Sequence, residues 1–304
     1  MDNTKIAGVL ARKARRHSAL AEFVGQVAKQ TFGQNLVFLD YPVNSTPRWN
    51  LSNPHPELYR ILSGNRASYA QLLKSFLAFK ENLSRIPVQQ AADSTPSEPN
   101  WINGFMPGLD SVALYGLIAT KRPKLFLEVG SGNSTKFARR AITDHGLHTK
   151  IVSIDPHPRV EIDMLCDQII RKPVESVSLD IFDQLEPGDI LYVDNSHRVF
   201  MNSDATVIFV DVIPRLESGV LVQIHDVTLP YDYPEIWIER YYSEQYLLAA
   251  YLLAEGHRIG ILLPNAFVSA DAELNGILSP LWQDPSMQNV ETHGCAFWIQ
   301  INGK

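Results

Sequence analysis

The chain has 304 residues, and its 27 Lys+Arg against 33 Asp+Glu leave a formal charge of -6, with 45% of the residues hydrophobic. That is enough apolar material for one large or two modest domains with a sizeable core. An acidic balance with no dense basic block argues against a general nucleic-acid binder, which needs positive surface to displace phosphate counterions.

At the amino end, Lys5, Arg12, Lys13, Arg15 and Arg16 read as the basic outer face of an amphipathic helix. No apolar core or small-residue cleavage site of a secretory signal follows them, so the expected compartment is cytoplasmic. Residues 1–86 are predicted to be helical. Ile6, Val9, Leu10, Leu20, Phe23, Val24 and Val27 recur at helix-like spacing, and Leu72, Leu73, Phe76, Leu77, Lys80 and Leu83 form a second stripe. Between these stripes lies a segment punctuated by Pro42, Pro47, Pro54 and Pro56. The Gln, Ala, Asp, Ser, Thr and Pro composition of Pro87–Pro99 marks a linker. The expected organisation is therefore a helical cap and linker over 1–100 and a second domain over 101–304.

Beyond Trp101, short apolar runs at 125–129, 151–154, 168–170, 190–193 and 220–224 suit parallel strands buried on both faces. Helices are expected at Thr135–Thr143, Asp204–Leu216 and Trp237–Ala254, with further strands at Ile259–Leu263 and Phe297–Ile301. The pattern predicts a doubly wound, Rossmann-like α/β sheet of about seven strands. The longest unbroken apolar stretch, Tyr246–Ala254, is about half the length of a bilayer-spanning helix, so no membrane span is expected. Cys166 and Cys295 are isolated thiols, offering neither a disulfide framework nor a CxxC site.

The first strand runs Leu125-Phe126-Leu127-Glu128-Val129 into Gly130-Ser131-Gly132-Asn133-Ser134-Thr135. A buried strand, a Gly-containing turn and a helix start form a natural ligand cradle. A dinucleotide fingerprint would carry a third Gly where Thr135 stands. The second strand ends at Asp155, placed to accept both hydroxyls of a ribose. Each feature also has a purely structural reading: an ordinary strand–helix turn, and a turn former before Pro156.

These residues, with Asp194-Asn195-Ser196-His197 after the fourth strand and His225-Asp226 after the fifth, resemble the class I S-adenosylmethionine-dependent methyltransferases. The likeness covers about residues 101–304. It implies a last strand antiparallel to the others and S-adenosylmethionine as cofactor. Gly130, Ser131 and Gly132 would line its methionine part, Asp155 would hold the ribose, and Lys172–Glu175 would flank the adenine. Glu128, Asn133, Ser134 and Asp194 complete the candidate cofactor set.

Two carboxylates and two imidazoles converge where a methyl acceptor would lie. Histidine, with an ordinary pKa of about 6.5, suits proton removal, so Asp194, His197 and His225 are the candidate catalytic residues. Catechol-type relatives place a proton-accepting lysine three residues past the equivalent of Asp194, the position of His197 here. They hold magnesium with carboxylate and amide oxygens. The corresponding set, Asp194, His225 and Asp226, contains an imidazole and would suit a transition metal better. A divalent metal, metal-free acid–base chemistry and simple loop-tying hydrogen bonds all remain open at this point. Tyr231 and Tyr233 are expected to wall the acceptor site, with Trp49 and Trp101 opposite. The expected activity is methyl transfer to oxygen or nitrogen of a small-molecule or glycan-like acceptor. The alternatives are a nucleotide-dependent oxidoreductase or hydroxylase-like enzyme, and a non-catalytic cofactor-binding module. Oligomeric state is not legible.

Overall fold

The expected strands form where the apolar runs are, in a computed structural model that describes residues 19, 22–27, 29–31, 37, 43–90, 95–254 and 256–303. The expectations for Ile6, Val9, Leu10, Leu20 and the basic amino-terminal residues lie outside these. The chain divides into two compact units, 1–46 and 47–304. In the first, Phe23, Val24 and Val27 are helical and exposed. Everything that follows concerns the second.

The seven strands are β1 (Leu125–Val129), β2 (Lys150–Ile154), β3 (Gln168–Ile170), β4 (Ile190–Val193), β5 (Leu221–Ile224), β6 (Ile259–Pro264) and β7 (Phe297–Ile301), in sheet order β3-β2-β1-β4-β5-β7-β6. The strands from β3 to β5 are mutually parallel, and β7 runs antiparallel between β5 and β6. All of β1, β4 and β5 is buried, as a sheet covered on both faces requires. The chain winds outward in opposite directions from β1 and β4, so a crevice opens beyond their carboxyl ends.

Helices α1 (Pro56–Ser63) and α2 (Arg66–Phe76) bury Leu58, Leu62, Tyr69, Leu73 and Phe76 in the same apolar core as the sheet. The Pro87–Pro99 segment leaves and returns to one place, because Trp101 N–H donates to Pro87 O and Ile102 N–H to Val88 O. Helix α3 (Gly108–Lys121) was not apparent in the sequence: Gly108 through Ala119 are all buried, so no polar face gives it a 3.6-residue period. Helix α4 (Asn133–Asp144) crosses from β1 to β2.

Two expected helices are broken. Asp204–Leu216 is one α-turn over Asp204–Val207, a π-turn over Ile208–Val212 and a 3₁₀ turn over Ile213–Arg215, where Pro214 can donate no backbone hydrogen bond. Trp237–Ala254 is a 3₁₀ segment, Glu235–Arg240, then a left-handed Tyr241 (φ 53°), then helix α5 (Glu244–Leu253). Ser243 and Glu244 N–H both donate to His197 O, which satisfies two amides where α5 begins. Among the described residues, no helix is long and apolar enough to cross a membrane.

Candidate active site

Gly130 takes φ +79°, and any Cβ there would land on the carbonyl oxygen of Asp194 at the end of β4. The glycine is therefore required by the neighbouring strand, before any ligand is considered. Gly132 is extended (φ 168°), and a Cβ would meet only Val160 at 3.8 Å. Thr135, standing where a dinucleotide motif would have its third Gly, accepts Gly132 N–H on Oγ1 at 3.1 Å and donates its own O–H to Glu128 Oε1. Glu128 is fully buried and also accepts Ser134 Oγ–H at 3.1 Å. Burial outweighs these two hydroxyls and pushes its carboxyl up to about 8. Glu128 thus sits beneath the turn and shapes it, while the cleft above is lined by its neighbours.

That cleft, of about 250 Å³, is lined by Gly130, Ser131, Asp155, Glu175, Asp194 and Asp204 among others. Asp155 holds the turn from the side: Oδ2 accepts Ser131 N–H at 2.8 Å and Oγ–H at 3.2 Å, and Oδ1 accepts His157 N–H at 2.7 Å. From the segment expected to flank an adenine, Pro173, Val174 and Glu175 line the cleft. Among the described residues, four carboxylates line this space, with Arg159 as the one Lys or Arg. A second, smaller pocket of about 40 Å³ is lined by Phe105, Met106, Gly132, Asn133, Ser134, Arg159, Tyr192 and His225. Asp194 lines both.

Behind Asp194 lies a buried network of imidazoles and carboxylates. His197, left-handed at φ 59° and 3% exposed, sets Nε2 3.2 Å from Asp194 Oδ1 and 3.6 Å from Asp226 Oδ2. Its Nδ1–H donates to Glu244 Oε2 at 3.0 Å, and the other Glu244 oxygen accepts Asn195 Nδ2–H at 2.8 Å. Burial opposes a charge on this ring, but Asp194 and Glu244 override it and raise its pKa to about 10. His197 is therefore an imidazolium at neutral pH with both nitrogens engaged, in place of the free imidazole expected from the sequence. The Tyr242 ring packs against it, tilted by 49° with the centroids 4.6 Å apart.

His225 Nδ1 lies 3.3 Å from Asp226 Oδ1 and 3.7 Å from Asp194 Oδ1, while Nε2 points back at Asp110 Oδ2, 3.4 Å away. Burial opposes ionisation of Asp226, but His225 and His197 hold its carboxyl well below the ordinary range. The expected metal set of Asp194, His225 and Asp226 is thus brought together as ion pairs. His197 Nε2 lies against both carboxylates, so imidazole hydrogens face the oxygens a magnesium ion would need. Among the described residues, the group whose ligand atoms all lie within 4.8 Å of one another is a different one: Asp110, His225 and Cys295. Magnesium at Asp194, His225 and Asp226 does not fit.

The aromatic wall also differs from expectation. Tyr233 is buried in a cluster with Trp237, Tyr242 and Tyr246, its hydroxyl accepting Gln245 N–H. Trp101 is buried against Phe137, and Trp49 sits beside His55. Neither tryptophan lines either cleft; Phe105 and Met106 line the smaller one.

Asp110, Glu244 and Asn265 were not apparent as site residues from the sequence, where Cys295 reads as an isolated thiol. A carboxylate inside the largely apolar run Leu109–Ile118 was the signal available for Asp110.

Residues 127–227 match the family model described as "Methyltransferase domain". The match spans the cradle, Asp155, and the ends of β4 and β5. No curated protein is a significant match to the sequence. Among solved structures, the chain is similar to the O-methyltransferase TomG from Streptomyces achromogenes in complex with SAM, at 15% identity over 62% of this chain and 78% of that one, with a TM-score of 0.36. It is also similar to the SAH-bound methyltransferase PaMTH1 of Podospora anserina, at 14% identity over 64% and 78% with a TM-score of 0.38. A third is the O-methyltransferase from Bacillus cereus in complex with SAH, at 14% identity over 92% and 97% with a TM-score of 0.35. The match to a methyltransferase domain at 127–227 thus falls on the first five strands of a seven-stranded, Rossmann-like α/β sheet.

Proposed function

We propose that the protein transfers the methyl group of S-adenosylmethionine to an oxygen, or a nitrogen, of a small-molecule or glycan-like acceptor. The observation that carries this reading is the charge of the larger cleft: Asp155, Glu175, Asp194 and Asp204 face it with Arg159 as counterweight. A sulfonium-bearing nucleoside is cationic at its reactive centre and suits such walls. The pyrophosphate of a dinucleotide would bring two more negative charges among four carboxylates, which disfavours the oxidoreductase alternative.

In this reading Asp155 accepts the ribose hydroxyls, the Gly130–Gly132 turn and Asn133 and Ser134 bound the methionine end, and Glu128 fixes that turn from below. The bound cofactor supplies an electrophilic methyl group. The chain's own contribution is placement. Asp194 stands where the two clefts meet and presents a carboxylate, backed by the imidazolium of His197, to a hydroxyl entering past Phe105 and Met106. In this reading the acceptor proton passes to the Asp194 carboxylate, with His197 and His225 as the cations that hold it in place. No step is routed through a metal.

Calorimetric titration with S-adenosylhomocysteine, beside NAD and NADP, tests the cofactor assignment. A panel of acceptors with radiolabelled methyl donor, with and without chelator, tests turnover. Binding of a dinucleotide in preference to S-adenosylhomocysteine would overturn the reading.

A further inference from the structure

Asp110, His225 and Cys295 come from three separate elements: the first turn of α3, the end of β5 and the loop entering β7. Asp110 is fully buried. Its Oδ1 accepts Asn265 Nδ2–H at 2.7 Å and Ala296 N–H at 3.0 Å, whereas Oδ2 accepts one N–H, that of Cys295, at 2.9 Å. Its second lone pair faces two groups: the weak Sγ–H donor of Cys295 at 3.5 Å, which also reaches Asp226 Oδ1 at 3.3 Å, and His225 Nε2 at 3.4 Å. His225 is 3% exposed, and its Nε2 has no aligned hydrogen-bond partner, an unusual state for a buried ring nitrogen. Gly294 is the residue that lets the loop come this close, because a Cβ there would collide with Asp110 Oδ1.

We propose that these three residues form a zinc site: Asp110 Oδ2, His225 Nε2 and Cys295 Sγ as ligands. Tetrahedral zinc, with bonds of about 2.0–2.2 Å to nitrogen and oxygen and about 2.3 Å to sulfur, sets ligand atoms roughly 3.3–3.6 Å apart. The separations of 3.4 and 3.5 Å around Asp110 Oδ2 match those edges. A carboxylate, an imidazole and a thiolate suit a borderline-soft ion and not magnesium or calcium. Binding at Nε2 leaves the proton on Nδ1, which faces Asp226 Oδ1 at 3.3 Å, the second-sphere carboxylate that a metal-bound histidine ordinarily has. Cys295 is partly exposed. Zinc here would staple α3, β5 and β7 together and fix the tautomer of the ring that faces Asp194 and Asp226. The site is independent of the cofactor assignment.

The test uses tag-free, full-length protein, stripped by dialysis against chelator and titrated with Co²⁺ and Zn²⁺. One equivalent of Co²⁺ is expected to produce a thiolate-to-metal charge-transfer band that one equivalent of Zn²⁺ abolishes. Cys295→Ser should lose the band and Cys166→Ser should keep it. Asp226→Asn should weaken zinc affinity about 10–100-fold through loss of the second-sphere acceptor. Because Cys295→Ser alters a packed loop, a second measurement needs no variant: Zn²⁺ should protect Cys295 of the parent, and not Cys166, from alkylation read by mass spectrometry. Absence of the band in the parent, its survival in Cys295→Ser, or alkylation of Cys295 at the same rate with and without Zn²⁺ would each overturn the proposal.

Discussion

Replacing Glu244 by Gln separates the charge of the buried network from its shape. Glu244 is fully buried and binds two donors at once, His197 Nδ1–H at 3.0 Å and Asn195 Nδ2–H at 2.8 Å. Glutamine keeps the volume and one acceptor but turns an NH₂ group toward one of these donors and removes the negative charge. The pKa of His197 stands at about 10 against an ordinary 6.5. At about 1.36 kcal/mol per tenfold change in proton affinity, the imidazolium is worth roughly 5 kcal/mol to the fold, shared chiefly between Asp194 and Glu244. Half of that, with about 1–3 kcal/mol for the donor left facing a donor, gives an expected loss of about 3.5–5.5 kcal/mol near pH 6.5. The sign with pH follows from the raised value. The stabilisation is complete below pH 6.5, declines as pH rises, and is gone once pH passes about 10. Urea unfolding of parent and Glu244→Gln at pH 6.5 and pH 10 should therefore show a gap that narrows by about 2–3 kcal/mol, the Glu244 share of the imidazolium stabilisation. His197→Gln combined with Glu244→Gln should cost little more than either alone, since both changes remove one interaction. A gap below about 1 kcal/mol at pH 6.5, or one that stays constant to pH 10, would refute the imidazolium assignment.

Asp155→Ala should weaken S-adenosylhomocysteine binding by about 1.5–3 kcal/mol for each charge-assisted hydrogen bond lost, measured by calorimetry; an unchanged Kd would remove Asp155 from the cofactor site. Gly130→Ala should lower Tm whether or not ligand is present, because its Cβ meets Asp194 O and its φ is +79°; a variant with parental Tm that only loses ligand affinity would contradict this. Glu128, fully buried and raised to about 8, fits best as the neutral acid, so its contribution is present below pH 4.5 and lost as pH rises through about 8. Glu128→Gln should accordingly gain about 2–4 kcal/mol relative to the parent between pH 5 and pH 8.5 in paired unfolding curves, and parallel pH profiles would count against it.

The strands were legible because each is a short apolar run buried on both faces, and burial leaves its mark residue by residue. The turn from Gly130 to Thr135 and the positions of Asp155, Asp194, His197, His225 and Asp226 were legible because strand ends are fixed by those same runs. What the residues do to one another was not. Glu244 lies 47 residues from His197, and its meeting with the imidazole depends on a break at Tyr241 that turns an expected continuous helix into a capped start. Asp110 lies 185 residues from Cys295, on a helix buried all round and therefore without periodicity. The need for glycine at 130 was visible, but its cause, the carbonyl of Asp194 on the adjacent strand, was not. A sequence records which groups each element carries to its end. Protonation states, ion pairs and ligand geometry depend on distances of 3–4 Å between elements, and those are set only when the elements pack.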